Sequence, residues 1–135
     1  MLHKSLAAAL VLAATAALPA SAAGHAPADE AAGRLLITVV DSGTDADGTH
    51  ELTCGPAGGD HADPAGACAA LERAEQPFEA VERGTMCTYV HGGPATAEIE
   101  GVWNGERVRA EFSRADGCEI ARWDALVPAL PDLGV

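Results

Sequence analysis

Apolar and polar positions along the chain follow two different periods, and each stretch of regular period predicts an element. Arg34-Leu35-Leu36-Ile37-Thr38-Val39-Val40 is rich in β-branched residues and predicts a buried strand. A polar turn, Asp41 to Thr49, separates it from Glu51-Leu52-Thr53-Cys54, the expected partner strand of a hairpin. A glycine- and proline-rich stretch, Gly55 to Gly66, comes next. Asp63-Pro64 within it has the form of an N-cap followed by proline at the first helical position. Ala67-Cys68-Ala69-Ala70-Leu71-Glu72-Arg73-Ala74 then supplies strong helix formers, with apolar positions mainly at helical spacing. This helix should pack on the sheet, with Pro77 ending the run.

The clearest local signal is Asn104-Gly105, the dipeptide of a type I′ turn. Before it, Ala97, Ile99 and Gly101 alternate with Glu98 and Glu100; after it, Val108, Ala110 and Phe112 alternate with Arg107, Arg109 and Glu111. The two runs predict a long hairpin with one face in the core and one in water. An antiparallel sheet with a packed helix places the chain in the α+β class as a single domain. The last stretch, Trp123 to Val135, is apolar but broken by Pro128 and Pro131, and the pattern assigns it to no element.

The N-terminus changes the context. Met1 to Lys4 is a short basic start, Ser5 to Leu18 is nearly all apolar, and Ala20-Ser21-Ala22 has the form of a cleavage site. Residues 1–22 therefore read as a secretory signal peptide, and the product as secreted and extracellular. Residues 23–33 are small, polar and proline-marked and are expected to be flexible, leaving 34–135 as the folded domain. The formal net charge is −12 at pH 7, and removing Lys4, the single lysine, makes it one unit more negative. So acidic a surface disfavours nucleic acid and anionic membranes as partners.

Candidate chemistry is sparse. After the leader only Ser42 and Ser113 remain as hydroxyl nucleophiles of the serine type, and neither lies in a nucleophile-elbow pattern. Four cysteines, Cys54, Cys68, Cys87 and Cys118, form an even count in a small exported chain and read as two disulfides. Three pairings are open at this point. No C-x-x-C and no paired histidine spacing supports zinc. Asp45-Ala46-Asp47-Gly48 resembles part of a calcium loop, but the pattern would need ligands at Gly43 and Cys54, so a solvent turn is the better reading. No enzyme, cofactor or metal is implied.

One segment stands apart. Met86-Cys87-Thr88-Tyr89-Val90 lacks a helix signal, and Gly92, Gly93 and Pro94 stop any regular structure after it. A disulfide at Cys87 could clamp a strand-like loop with Tyr89 projecting, although a lone aromatic beside a cysteine is more often packed on the disulfide.

Ordered motifs around that segment decide between these readings. Cys54-Gly55-Pro56, Gly59-Asp60-His61, Ala67-Cys68-Ala69-Ala70-Leu71, Met86-Cys87, Gly101-Val102-Trp103-Asn104-Gly105-Glu106-Arg107-Val108 and Cys118-Glu119 resemble the Streptomyces subtilisin inhibitor family of secreted serine-protease inhibitors. The resemblance implies about five antiparallel strands with two helices, sequential disulfides, a homodimer, and a reactive bond two residues after the third cysteine. That bond would be Tyr89–Val90, with Met86, Cys87, Thr88 and His91 also touching the protease. Extracellular subtilisin-like proteases would be the partners, and chymotrypsin-like ones further targets. The alternative is a secreted binding module on the same scaffold that acts on a metalloprotease or another extracellular partner. Three departures from the family pattern are visible. Ala62 stands where the motif has proline, the stretch from Tyr89 to Trp103 is one residue longer, and Asp116 stands where an asparagine amide often braces the reactive loop.

Overall fold

The computed structural model describes residues 32–134. The expected signal peptide and most of the segment expected to be flexible lie outside these residues. Five strands form one antiparallel sheet: β1 (Gly33–Val40), β2 (Gly48–Cys54), β3 (Gly58–Gly59), β4 (Thr96–Trp103) and β5 (Glu106–Phe112), in the order β3-β2-β1-β4-β5. Two helices complete the fold, α1 (Pro64–Arg73) and α2 (Gly117–Asp124).

Strand β1 is central, pairing with β2 on one side and β4 on the other, and its alternation is clean. Leu35, Ile37 and Val39 face the core while Arg34, Leu36 and Val40 face outward. The register sets Leu35 opposite Leu52 on β2 and Ile37 opposite Ile99 on β4, so the inward residues of three strands meet in rows. The predicted hairpin forms β4 and β5, with Ala97, Ile99, Ala110 and Phe112 buried and Asn104 at φ 48°. At Gly101 (φ +145°) a side chain would collide with the Arg34 carbonyl and Leu35 on β1, which accounts for glycine inside a central strand.

Helix α1 begins as expected. Asp63 is its N-cap, accepting the Gly66 N–H at 3.0 Å, with proline in the first turn. It stops at Arg73, short of Pro77, because Ala74 already turns extended. Its apolar face (Ala67, Cys68, Ala70, Leu71) lies on the core, and the Cys54–Cys68 disulfide ties it to the end of β2. Gly33, expected to be flexible, is instead the buried first residue of β1, packed under Trp103. The small strand β3 arises inside the stretch expected to be irregular, pairing Gly58 and Gly59 with Thr53 and Leu52.

The unassigned C-terminal stretch is core. Trp123, Leu126, Ala129 and Leu130 are all buried, and the Trp123 indole N–H donates to the Pro131 carbonyl at 2.9 Å. His61 Nε2 donates to Ala129 O at 3.1 Å while its Nδ1 accepts the Asp63 N–H, so one imidazole pins the tail to the start of α1. The calcium-like turn is closed from within: Asp47 accepts the Ser42 N–H at 3.0 Å, and its hydrogen bonds with Ser42 hold its carboxyl below the usual range. Trp123→Ala should therefore destabilise the domain by about 3–5 kcal/mol in a urea titration, the size of a large core truncation. A loss under about 1 kcal/mol would mean that the tail is not part of the core.

Candidate functional site

Between α1 and β4 the chain runs through residues 74–95 without a helix or strand. A connection this long inside a compact domain is usually functional. It is not loose, because named contacts hold it at intervals. Phe78 packs edge-on against Trp103, with centroids 6.0 Å apart. Arg122 lies on α2 and donates from Nε to Glu79 O at 2.7 Å and from Nη1 to Glu111 O at 2.7 Å. Its guanidinium sits 4.1 Å from the Phe112 ring centre, so it joins the loop's first part to β5 and α2.

The tip follows. Cys87 is bonded to Cys118, which settles the pairing as sequential. Tyr89 is 103 % exposed, so its ring does not pack on the disulfide; Met86 is 94 % and Val90 60 % exposed. Three apolar side chains standing together in water are a mark of an interaction surface. The backbone groups of Tyr89 and Val90 make no hydrogen bond among the described residues, so they remain available to an incoming chain.

The anchors lie on either side of that bond, and all belong to one short segment. Gly117 N–H donates to the Thr88 carbonyl at 3.0 Å. It is the first amide of α2, one of the donors a helix cannot satisfy internally. Beyond the bond, Gly92 N–H donates to Arg114 O at 2.7 Å, and Arg114 Nε donates to Gly92 O at 3.1 Å. His91 Nδ1 accepts the Gly93 N–H at 3.1 Å, which shapes the turn between them. Both contact points are tight. A Cβ on Gly92 would lie 2.9 Å from Arg114 Nε and 3.0 Å from Ile120 Cδ1, and a Cβ on Gly117 would overlap the Thr88 hydroxyl. Residues 114–118 therefore hold Thr88 through an amide, Cys87 through a disulfide and Gly92 through a pair of hydrogen bonds.

Asp116 has another job besides standing near the loop. It is the N-cap of α2 and accepts the Glu119 N–H at 2.9 Å. Its carboxylate and the Cys87 and Cys118 sulfurs lie within 4.8 Å of one another, but its side chain makes no hydrogen bond to the loop among the described residues. The bracing falls instead to Arg114 and Gly117, which sequence reasoning passed over. A signal for Arg114 existed: Val108, Ala110 and Phe112 alternate inward, and Arg114 is the next residue in phase.

Asp116→Ala should cost about 1 kcal/mol of unfolding free energy, as for a lost N-cap, and Asp116→Asn less than about 0.5 kcal/mol because asparagine caps equally well. Equal losses in both variants, measured by denaturant titration, would show that the charge rather than the cap matters.

Comparison with known proteins gives the family. Residues 31–115 match the family described as subtilisin inhibitor-like, a match that includes the exposed tip and stops short of Cys118 and α2. Protease inhibitor SIL-V5 of Streptomyces luteoverticillatus is 42 % identical over 73 residues, covering 51 % of this chain and 67 % of that protein. Subtilisin inhibitor-like protein 2 of Streptomyces rochei is 36 % identical over 101 residues, covering 69 % of this chain and 88 % of that protein. A transglutaminase-activating metalloprotease inhibitor of Streptomyces mobaraensis is 38 % identical over 73 residues, covering 51 % of this chain and 49 % of that protein. With a family match across more than half its length and its disulfides, sheet and exposed tip as described, the chain belongs to the subtilisin inhibitor-like family of protease inhibitors.

Proposed function

We propose that the chain is a secreted, substrate-like inhibitor of subtilisin-type serine proteases whose reactive bond is Tyr89–Val90, with chymotrypsin-like enzymes as further targets. One observation carries this reading: Tyr89 and Val90 are exposed to solvent while Thr88 and Gly92, before and after them, are fastened to the same segment. Tyr89 enters the primary pocket as a rigid aromatic anchor. Met86, Cys87 and Thr88 lie along the enzyme cleft and add backbone hydrogen bonds, as in strand addition. Val90 and His91 occupy the leaving side.

The chemistry is that of an ordinary substrate that cannot leave. The enzyme's serine oxygen adds to the Tyr89 carbonyl carbon while its histidine takes the hydroxyl proton, and the oxyanion is held by backbone N–H groups. The C–N bond to Val90 then breaks, and the amine takes that proton. In a free peptide the amine diffuses away and water completes hydrolysis. Here Cys87–Cys118 and the Gly92 contacts keep the amine beside the acyl carbon, so re-formation of the amide competes with water. The same tethers remove much of the ordering cost of binding.

A metalloprotease target is the second reading, favoured by the metalloprotease inhibitor among the relatives. Incubation with subtilisin separates the two: the first reading expects slow cleavage at Tyr89–Val90 alone with the enzyme silenced. Rapid digestion of the loop with full residual activity would sink it, and loss of a metalloprotease's activity instead would carry the second. Tyr89→Gly should weaken subtilisin inhibition at least about thirtyfold, the weight of a hot-spot anchor. Tyr89→Lys should introduce trypsin inhibition, because the trypsin pocket ends in a carboxylate. If neither change appears, Tyr89 is not the anchor.

The same reading includes a homodimer through the outer face of the sheet. Leu36, Val40 and Val102 are exposed there beside Arg34, Arg107 and Arg109. Sedimentation equilibrium at about 100 µM should give the dimer mass, and Val102→Glu the monomer mass. A monomeric parent chain at that concentration would remove this part of the proposal.

A further inference from the structure

Arg114 is the one buried charged side chain among the described residues, only 1 % exposed in a protein rich in carboxylates. Burying a guanidinium is costly unless every donor is met, and for stability alone an apolar side chain of similar size serves as well or better. Its donors reach three separate parts of the fold. Nε donates to Gly92 O at 3.1 Å, Nη1 to Asp124 Oδ1 at 2.7 Å and Nη2 to Gly134 O at 2.8 Å. The guanidinium carbon lies 5.8 Å from the Trp123 ring centre. The planar fork has little freedom to adjust one contact without moving the others. The place of Gly92, two residues beyond Val90, is thereby tied to the end of α2 and to the C-terminal tail.

We propose that Arg114 is the positioning residue for the leaving side of the loop, and that α2 and the tail hold it in place from behind. This rests on the reading of Tyr89–Val90 as the reactive bond. When the C–N bond breaks, the Val90 amine is free to move only through Val90 and His91, because Gly92 is held by both its N–H and its C=O. An amine kept that close re-forms the amide with the acyl carbon. An amine released from Gly92 drifts, and water takes the acyl group to leave a Tyr89 carboxylate, a free Val90 amine and a nicked inhibitor. The cysteine bridge holds only the acyl side of the bond, so the leaving side depends on Arg114.

Three full-length variants test this: Arg114→Met, which keeps the length without donors, Arg114→Lys, which keeps charge without the fork, and Gly92→Ala, whose Cβ would press on Arg114 Nε from the loop side. Two readouts are taken beside the melting temperature: amide hydrogen exchange at residue 92, and the rates at which subtilisin nicks and religates the chain. In all three variants exchange should quicken at least about tenfold and nicked protein should accumulate at least about tenfold faster. The initial rate of subtilisin binding should change less than about threefold, since the Tyr89 anchor is untouched. Folded variants with parental exchange and nicking rates would overturn the proposal. A general loss of protection across the sheet, with no excess at residue 92, would reduce Arg114 to a core residue and also overturn it. If Arg114→Met fails to fold, Gly92→Ala decides, because it leaves the Arg114 side chain and its charge in place. Should the parent chain not inhibit subtilisin at all, the reactive-bond reading falls while exchange at residue 92 still reads the clamp.

Discussion

A stretch of chain that pairs with nothing stays extended only if something behind it removes its freedom, and each ordered residue costs about 1–2 kcal/mol of backbone entropy. Residues 114–118 meet that requirement here. They form the corner between β5 and α2, and from that corner one disulfide, one helix amide and one arginine reach forward to Cys87, Thr88 and Gly92. The corner itself is fixed by β-ladder pairing up to Phe112 on one side and by the Asp116 cap on the other. The exposed tip inherits its shape from these five residues.

The rest of the molecule can be understood as support for that corner. Helix α2 has only one fully buried residue of its own, Trp123. It is seated by that indole and by Leu126, Ala129 and Leu130, which follow it in the tail. Arg122 and Arg114, eight positions apart in a chain with few cations, face different ways and hold the two ends of the long connection. On the loop both take backbone carbonyls, of Glu79 and Gly92, as acceptors, so at these two points it is held by its main chain. The core is modest, and each disulfide is worth about 3–4 kcal/mol in the chain-entropy model, a sizeable share of a stability of roughly 5–15 kcal/mol.

Legibility followed range. Strand β1, helix α1 and the β4–β5 hairpin were readable because their signals are local: alternation, a proline-marked cap, an Asn-Gly turn. The tail was not. Trp123, Leu126, Ala129 and Leu130 belong to an apolar, proline-broken stretch that no local pattern assigns to an element, and the fold buries all four. Residue types favoured a buried Tyr89; the family resemblance reversed that, and the fold presents the ring to solvent. Asp116 lies close to the loop, but its carboxylate is engaged by the helix it caps.

The sequence by itself determined the class of fold, the hairpin and helix that frame the core, the number of cysteine bridges and, through its ordered motifs, the family. The hairpin and helix are written in residues close in the chain, and the bridge count and the family in the number and order of residues along it. Only the tertiary structure decided that β1 sits between β2 and β4, that the tail belongs to the core, and that Arg114 rather than Asp116 hydrogen-bonds the loop. Each of these joins residues distant in sequence, and a guanidinium's partners depend on which acceptors the fold brings within hydrogen-bond distance of it, something no local pattern encodes.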